Sequence, residues 1–222
     1  MCGRYTLTAS GQIVAEAFGL AQVPALAPRY NIAPTQLVPI VRAASGGGRE
    51  LATVRWGLVP SWAKEAAIGN RLINARGETL AEKPAFRDSF RRRRCLVVAD
   101  GFYEWQAVGR RKQPWHFRRP DGTPFALAGL WARWRDPAGG DLESCAIVTT
   151  AANALLAPVH DRMPVLLDPE GAATWLAASS PGERLSELLV PAPPAALMGT
   201  PVQLLVNDPR HDAPDCLLPL AP

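Results

Sequence analysis

Lysine, histidine and cysteine are scarce in this chain, and long apolar runs are missing. Only 3 of its 24 basic residues are lysine; the other 21 are arginine. Histidine occurs only at His116, His160 and His211. The four cysteines, Cys2, Cys95, Cys145 and Cys216, are widely scattered and form no CxxC pair, which excludes the usual structural zinc patterns. No apolar run approaches the roughly 20 residues that span a bilayer, so no membrane association is expected. The start, MCGRYTLTAS, lacks a positive leader followed by an apolar segment. The expectation is therefore a reduced, cytoplasmic chain without disulfides, metal or other cofactor.

Charge is also short in one half. Residues 1–135 hold 21 basic and 9 acidic groups, whereas residues 136–222 hold 3 and 11, within a net charge of +4. A genome rich in G and C explains arginine in place of lysine, but not this segregation. It predicts a patch for an anionic partner in the first part. With 222 residues, 48% hydrophobic and 20% charged, the chain has the profile of a folded domain and is too ordered in composition to be mainly disordered. One domain over residues 1–222 is expected.

Strand patterns outnumber helical ones, and the βα alternation of a doubly wound sheet is missing. CGRYTLT, CLVVAD, FYEWQ, QPWHFRR, FALAGLWARW, LESCAIVTT and VQLLVN read as strands. LVPIVR and ELATVRW flank the turn ASGGGR and read as a hairpin. Helices are expected at IVAEAFGL, AFRDSFRR, SPGERLSELL, and after Asp168-Pro169, with Asp168 as N-cap and Pro169 at the first helical position. PAPPAALMGTP reads as a surface loop. The fold class is α+β, with a mostly antiparallel, barrel-like sheet as core and short peripheral helices.

Chemistry concentrates in a few places. Removal of Met1, favoured by the small residue that follows, would make Cys2 the N-terminus. An N-terminal cysteine carries an amine with reference pKa of roughly 7.7–8.0 and a thiol near about 8.5 on adjacent carbons. The amine condenses with an aldehyde to a Schiff base, and the thiol closes on that carbon to a thiazolidine. For an isolated MC start, a chance cysteine at position 2 is the better explanation. His160, in PVHDRMPV beside Asp161, has the residue type of a proton shuttle or of a loop histidine. His116 alternates with Trp115 and Phe117 and reads as structural. Glu104, in CLVVADGFYEWQ, would have its pKa raised if the strand buries it, or would face solvent by alternation. Asn74, in LINARGET, can hold an amine or a carbonyl without titrating, or can cap a turn. Arg4, Arg76 and Arg162 each neighbour one of these residues and offer planar forks to phosphate. The Arg91–Arg94 run is read for some of its members as a solvated helix end. Trp62, in an irregular loop behind Pro60, is the tryptophan expected to be exposed and to stack on a base.

Six segments taken together, MCGRY, YNIAPTQ, RWGLVPSWA, INARGET, CLVVADGFYEW and PVHDRMPV, resemble the SRAP (SOS-response-associated peptidase) family in its own order. VNDPRHDAPDC is a looser match to its closing segment. The resemblance implies recognition of abasic sites in single-stranded DNA, notably near junctions with duplex, and covalent crosslinking to them. It implies that Cys2 forms the thiazolidine, Asn74 positions the amine, Glu104 assists ring opening and proton transfer, and His160 is the catalytic histidine. It assigns phosphate contacts to Arg4, Arg76 and Arg162, and base contacts to the loops of Pro34 and Trp62. It also implies self-processing that exposes Cys2. A monomer, nucleoid-associated when on DNA, is expected. Two other readings stay open on the residues themselves. One is a cysteine hydrolase using Cys2 and His160; the other is a non-catalytic single-strand binder.

Overall fold

The structure is a computed structural model that describes residues 2–220. In chain order the first elements are β1 (Arg4–Leu7), α1 (Gly11–Phe18), β2 (Arg29–Ile32), β3 (Leu37–Ala43), β4 (Arg49–Trp56) and β5 (Asn74–Arg76). Next come α2 (Arg87–Arg92), β6 (Arg94–Ala99), β7 (Gly101–Val108), β8 (Arg111–Arg118), β9 (Phe125–Arg135) and β10 (Asp141–Ala151). The chain ends with β11 (Arg162–Pro164), β12 (Leu166–Leu167), α3 (Pro169–Leu176), α4 (Gly182–Glu187) and β13 (Met198–Pro201).

Five strands close a barrel in the order β4, β3, β6, β9, β10 and back to β4. All of these pairings are antiparallel except β10 with β4, which is parallel. Closure removes the exposed edges that an open sheet would leave. A second, antiparallel sheet runs β13-β8-β7-β1-β2. The two sheets share one core, in which Tyr5, Phe102 and Phe117 meet Trp56, Ile40, Val97 and Ile147. Tyr5 and Trp56 touch edge to face at 5.3 Å, and Phe102 stacks on Phe117 at 5.4 Å. Each such large side chain contributes about 1.5–3 kcal/mol on burial. The α+β, barrel-like expectation therefore describes the fold.

The chain crosses between the sheets at Asp100–Gly101, where β6 of the barrel ends and β7 begins. Gly101 is required there by space: a Cβ would lie 2.1 Å from His116 Nε2 and 2.7 Å from Thr6 Oγ1. Asp100 accepts from Thr6 Oγ1 at 2.6 Å, Thr8 Oγ1 at 2.7 Å and the Ala9 amide at 2.9 Å. These bonds pin β1 to the crossover and so fix the strand that leads back to Cys2. His116 is buried beside them, and desolvation pushes its pKa down to about 4.

The helices follow their caps. Ser10 accepts from the Ile13 amide to start α1, and Gly19 ends it with φ of 65°. Asp168 caps α3 through the Gly171 amide at 2.7 Å, with Pro169 at the first position. In the arginine run, Arg91 and Arg92 are exposed but Arg94 is buried. Its guanidinium donates to the carbonyls of Phe90, Arg91 and Ala177 at 2.6–2.8 Å.

Two expectations fail. VQLLVN is not a strand: Val202 makes only an isolated bridge, and Leu204–Asn207 forms a 3-10 turn. Leu204 and Leu205 are both exposed, so this apolar run does not mark a buried strand. The stretch taken as a loop contains β13, which zips onto β8 through Met198↔Arg118 to Pro201↔Trp115. Proline is tolerated there because β13 is an edge strand.

Candidate active site

β10 organises half of the site. β5 runs parallel to it with Ile147↔Asn74 and Thr149↔Arg76, while β11 runs antiparallel with Ala151↔Arg162. One strand thus brings together Asn74, Arg76 and Arg162 from segments far apart in sequence. The other half comes from the second sheet, where β1 pairs with β7 through Arg4↔Tyr103, next to Glu104.

Cys2 is fully buried, and Tyr5, Thr6 and Leu7 further along in β1 are buried too. Asn74 Nδ2 donates to the Cys2 carbonyl at 2.8 Å, while Asn74 Oδ1 is buried without a hydrogen-bond partner. Burial, aided by the Glu104 carboxylate, pushes the Cys2 thiol well above its ordinary pKa. Glu104 is only 2% exposed, and desolvation raises its carboxyl to about 7. That is the protonation state expected of a group that gives and takes protons near neutrality.

A cleft of about 530 Å³ lies over this region, lined by Arg4, Glu104, Trp105, Lys112, His160 and Asn207. The Arg162 amide donates to His160 Nδ1 at 2.9 Å, which assigns the proton of the neutral ring to Nε2. Asp161 Oδ1 lies 2.9 Å from the same Nδ1 and favours the imidazolium. Burial outweighs it and lowers the His160 pKa. Arg4 is half-buried, and its Nη1 donates to Asn31 Oδ1 at 2.9 Å and to the Val206 carbonyl at 2.7 Å. Arg162 donates through Nη1 and Nη2 to both oxygens of Glu78, at 2.6 and 2.9 Å.

The other sequence-derived candidates, Arg76, Pro34 and Trp62, do not line this cleft. Arg76 is exposed, two residues past Asn74. Pro34 sits in the turn between β2 and β3, where Thr35 holds φ of 72° and donates its amide to the Trp56 carbonyl at 2.8 Å. Such backbone is costly for a β-branched residue. Trp62 is 57% exposed in the loop after β4, with its indole donating to the Pro84 carbonyl at 3.3 Å. It borders a separate groove with Lys64, Ile68, Asn70 and Arg71.

Sequence reasoning missed Trp105, Lys112 and Asn207 in the cleft wall. Trp105 Nε1 donates to Asn207 Oδ1 at 2.7 Å, joining β7 to the C-terminal segment. A signal for Lys112 existed: it is one of 3 lysines in an arginine-rich chain. Asn31 was also missed. Fully buried, it holds Arg4 and donates to the carbonyls of Asp208 and His211 at 2.9 and 2.7 Å. Among the described residues, His211, Asp215 and Cys216 have donor atoms within 4.8 Å of one another. They already bond to each other, His211 Nε2 to Asp215 at 2.6 Å and the Cys216 thiol to the His211 carbonyl. Their arrangement is that of a hydrogen-bonded tail and does not call for an ion.

The family model for SOS response associated peptidase (SRAP) matches residues 1–209. The chain belongs to the SRAP family. It is 39% identical to the "Abasic site processing protein YoqW" of Bacillus subtilis, covering 98% of this chain and 99% of that one. It is 32% identical to the chicken "Abasic site processing protein HMCES", covering 87% of this chain and 66% of that protein. A crystal structure of a protein from Bacteroides thetaiotaomicron superposes with a TM-score of 0.89 at 26% identity, over 99% of this chain. The shared fold thus extends over the whole of this SRAP chain, barrel and second sheet alike.

Proposed function

We propose that this SRAP chain processes abasic sites in single-stranded DNA by crosslinking to them through Cys2 once Met1 has been removed. Its relatives' names support abasic-site processing. One observation carries the crosslinking step: Asn74 grips the Cys2 carbonyl while its own Oδ1 stays buried without a partner. An α-amine on Cys2 would bring N–H donors next to the residue that Asn74 already holds.

The steps balance as follows. The closed abasic sugar opens to its aldehyde with proton transfer by Glu104, whose pKa of about 7 suits both directions. The Cys2 amine adds to the aldehyde carbon, and loss of one water leaves the Schiff base. The thiol then adds to the same carbon through Sγ and gives up its proton, closing the thiazolidine. His160, with Nδ1 occupied by a backbone amide, exchanges protons at Nε2. Ring closure removes the iminium that would otherwise promote β-elimination and strand cleavage.

The amine reacts first and the sulfur only after the iminium has formed, an order that fits a thiol kept protonated by burial. The same fact weighs against a cysteine hydrolase. That chemistry needs a thiolate–imidazolium pair, and here the Cys2 pKa is raised while the His160 pKa is lowered. Arg4, Arg76, Arg162 and Lys112 supply phosphate contacts, while Pro34 and Trp62 meet the bases. Removal of Met1 by self-processing would fit the word peptidase in the family's description. We expect the protein to act as a monomer, on single strands and at their junctions with duplex.

The test is a denaturing gel of protein incubated with a single-stranded oligonucleotide carrying one abasic site. A slow band is expected, and it must vanish in Cys2→Ala and when an extra residue blocks the N-terminus. A band that survives both would overturn the assignment. Equal affinity for intact and abasic strands with no band at all would favour a plain single-strand binder.

A further inference from the structure

We propose that Glu78 is a displaceable stand-in for a DNA phosphate on Arg162. This rests on the single-strand binding proposed above and deepens it. A guanidinium offers two edges for a two-oxygen anion, the end edge of Nη1 and Nη2 and the side edge of Nε and Nη2. On Arg162 the end edge is filled by Glu78, with Nη1 to Oε1 at 2.6 Å and Nη2 to Oε2 at 2.9 Å. The side edge is closed: Nη2 donates to the Thr149 carbonyl at 2.7 Å, and Nε is buried with no partner. The Arg162 side chain is 13% exposed and that of Glu78 is 53% exposed. A phosphate can therefore reach the Arg162 fork only from the place that Glu78 now occupies.

Both partners are built for the exchange. Arg162 is held without Glu78, by its β11 pairing, its amide bond to His160 Nδ1 and the Thr149 carbonyl. Glu78 sits on the single 3-10 turn Gly77–Thr79. That turn is anchored by buried Leu80 and by the close packing of Gly77 on Leu189 and Thr149, not by the carboxylate. Swinging the Glu78 side chain out thus breaks one half-solvated ion pair and the carboxylate's hydrogen bond with its own amide, while the packing of Leu80 and Gly77 stays in place. A carboxylate matches phosphate in charge sign and fork geometry, so it keeps the empty guanidinium aligned. An anion must outcompete it, which disfavours isolated small anions relative to a strand that also engages neighbouring cations.

The experiment is fluorescence anisotropy of an undamaged single-stranded oligonucleotide, on which no crosslink forms. It compares wild type, Glu78→Gln, Arg162→Gln and the double variant at low salt, with thermal melts on each. Glu78→Gln is expected to bind about 3–10-fold more tightly than wild type, and Arg162→Gln more weakly. In the Arg162→Gln background the Glu78 substitution should change affinity by less than about twofold. Unchanged or weaker binding by Glu78→Gln would overturn the proposal and make the pair a structural clamp. Tightening that persists in full without Arg162 would also overturn it, as a general loss of negative charge. If either glutamine variant melts far below wild type, Glu78→Ala and Arg162→Met repeat the cycle. Failure of the wild type to bind any strand would instead refute the functional reading itself.

Discussion

The Asn74 carboxamide donates to the carbonyl of Cys2 at 2.8 Å and leaves its own oxygen buried without a partner. The bond spans 72 residues of sequence and links the start of the chain to β5, beside β10. An unsatisfied buried amide oxygen is costly, so a donor that completes it is favoured.

Asn74→Ala should therefore slow crosslinking by about 10–100-fold while changing affinity for undamaged strands by less than about twofold. Single-turnover crosslinking and anisotropy on the same preparations measure the two quantities. Matched losses in both would mean that Asn74 only holds the fold of the DNA-binding face.

Glu104 makes a pH prediction with a definite sign. Its carboxyl is raised from 4.5 to about 7 by burial, so the folded state binds this proton more tightly than the unfolded state does. The associated stability is complete below pH 4.5 and is lost as pH rises through about 7. Wild type should lose about 1–3 kcal/mol relative to Glu104→Gln between pH 5 and 8. Urea unfolding across that range checks it, and parallel curves for the two proteins would refute the assignment. Crosslinking by the glutamine variant should be slow at every pH.

Trp62 tests the separate groove. At 57% exposed it contributes little to the core, so Trp62→Ala should melt within a degree or two of wild type. Loss of a stacking platform should weaken single-strand binding by about 5–100-fold, with Trp62→Phe recovering most of it. Binding as tight as wild type in Trp62→Ala would remove this loop from the DNA path.

Legibility followed physics. The barrel strands could be read because burial on both faces makes continuous apolar runs such as CLVVA, and caps such as Asp168-Pro169 are local. β13 could not, because its pairing is set by the distant partner β8 and its own composition is proline-rich. Cys2, Arg4, Asn74, Glu104 and His160 could be named because each sits in a distinctive segment, and the structure does gather them. The Arg162–Glu78 fork and the Asn31 hub were hidden, since both depend on which side chains meet after the strands have paired. Trp105 and Asn207 were hidden for the same reason.

The arginine run separates structural from surface charge. Arg94 donates to the carbonyls of Phe90, Arg91 and Ala177, joining α2 to the end of α3. Arg94→Ala should cost about 2–4 kcal/mol of stability by orphaning these buried acceptors. Arg91→Ala and Arg92→Ala, both exposed, should cost less than about 0.5 kcal/mol. Thermal unfolding distinguishes them, and a mild Arg94→Ala would contradict the capping role.

The most direct test is intact mass of the protein after mixing with single-stranded DNA that carries one abasic site. The account predicts a single adduct equal to the chain without Met1 plus the oligonucleotide minus one water, absent from Cys2→Ala. An adduct that retains Met1, an adduct formed equally by Cys2→Ala, or no adduct on a processed chain would contradict it.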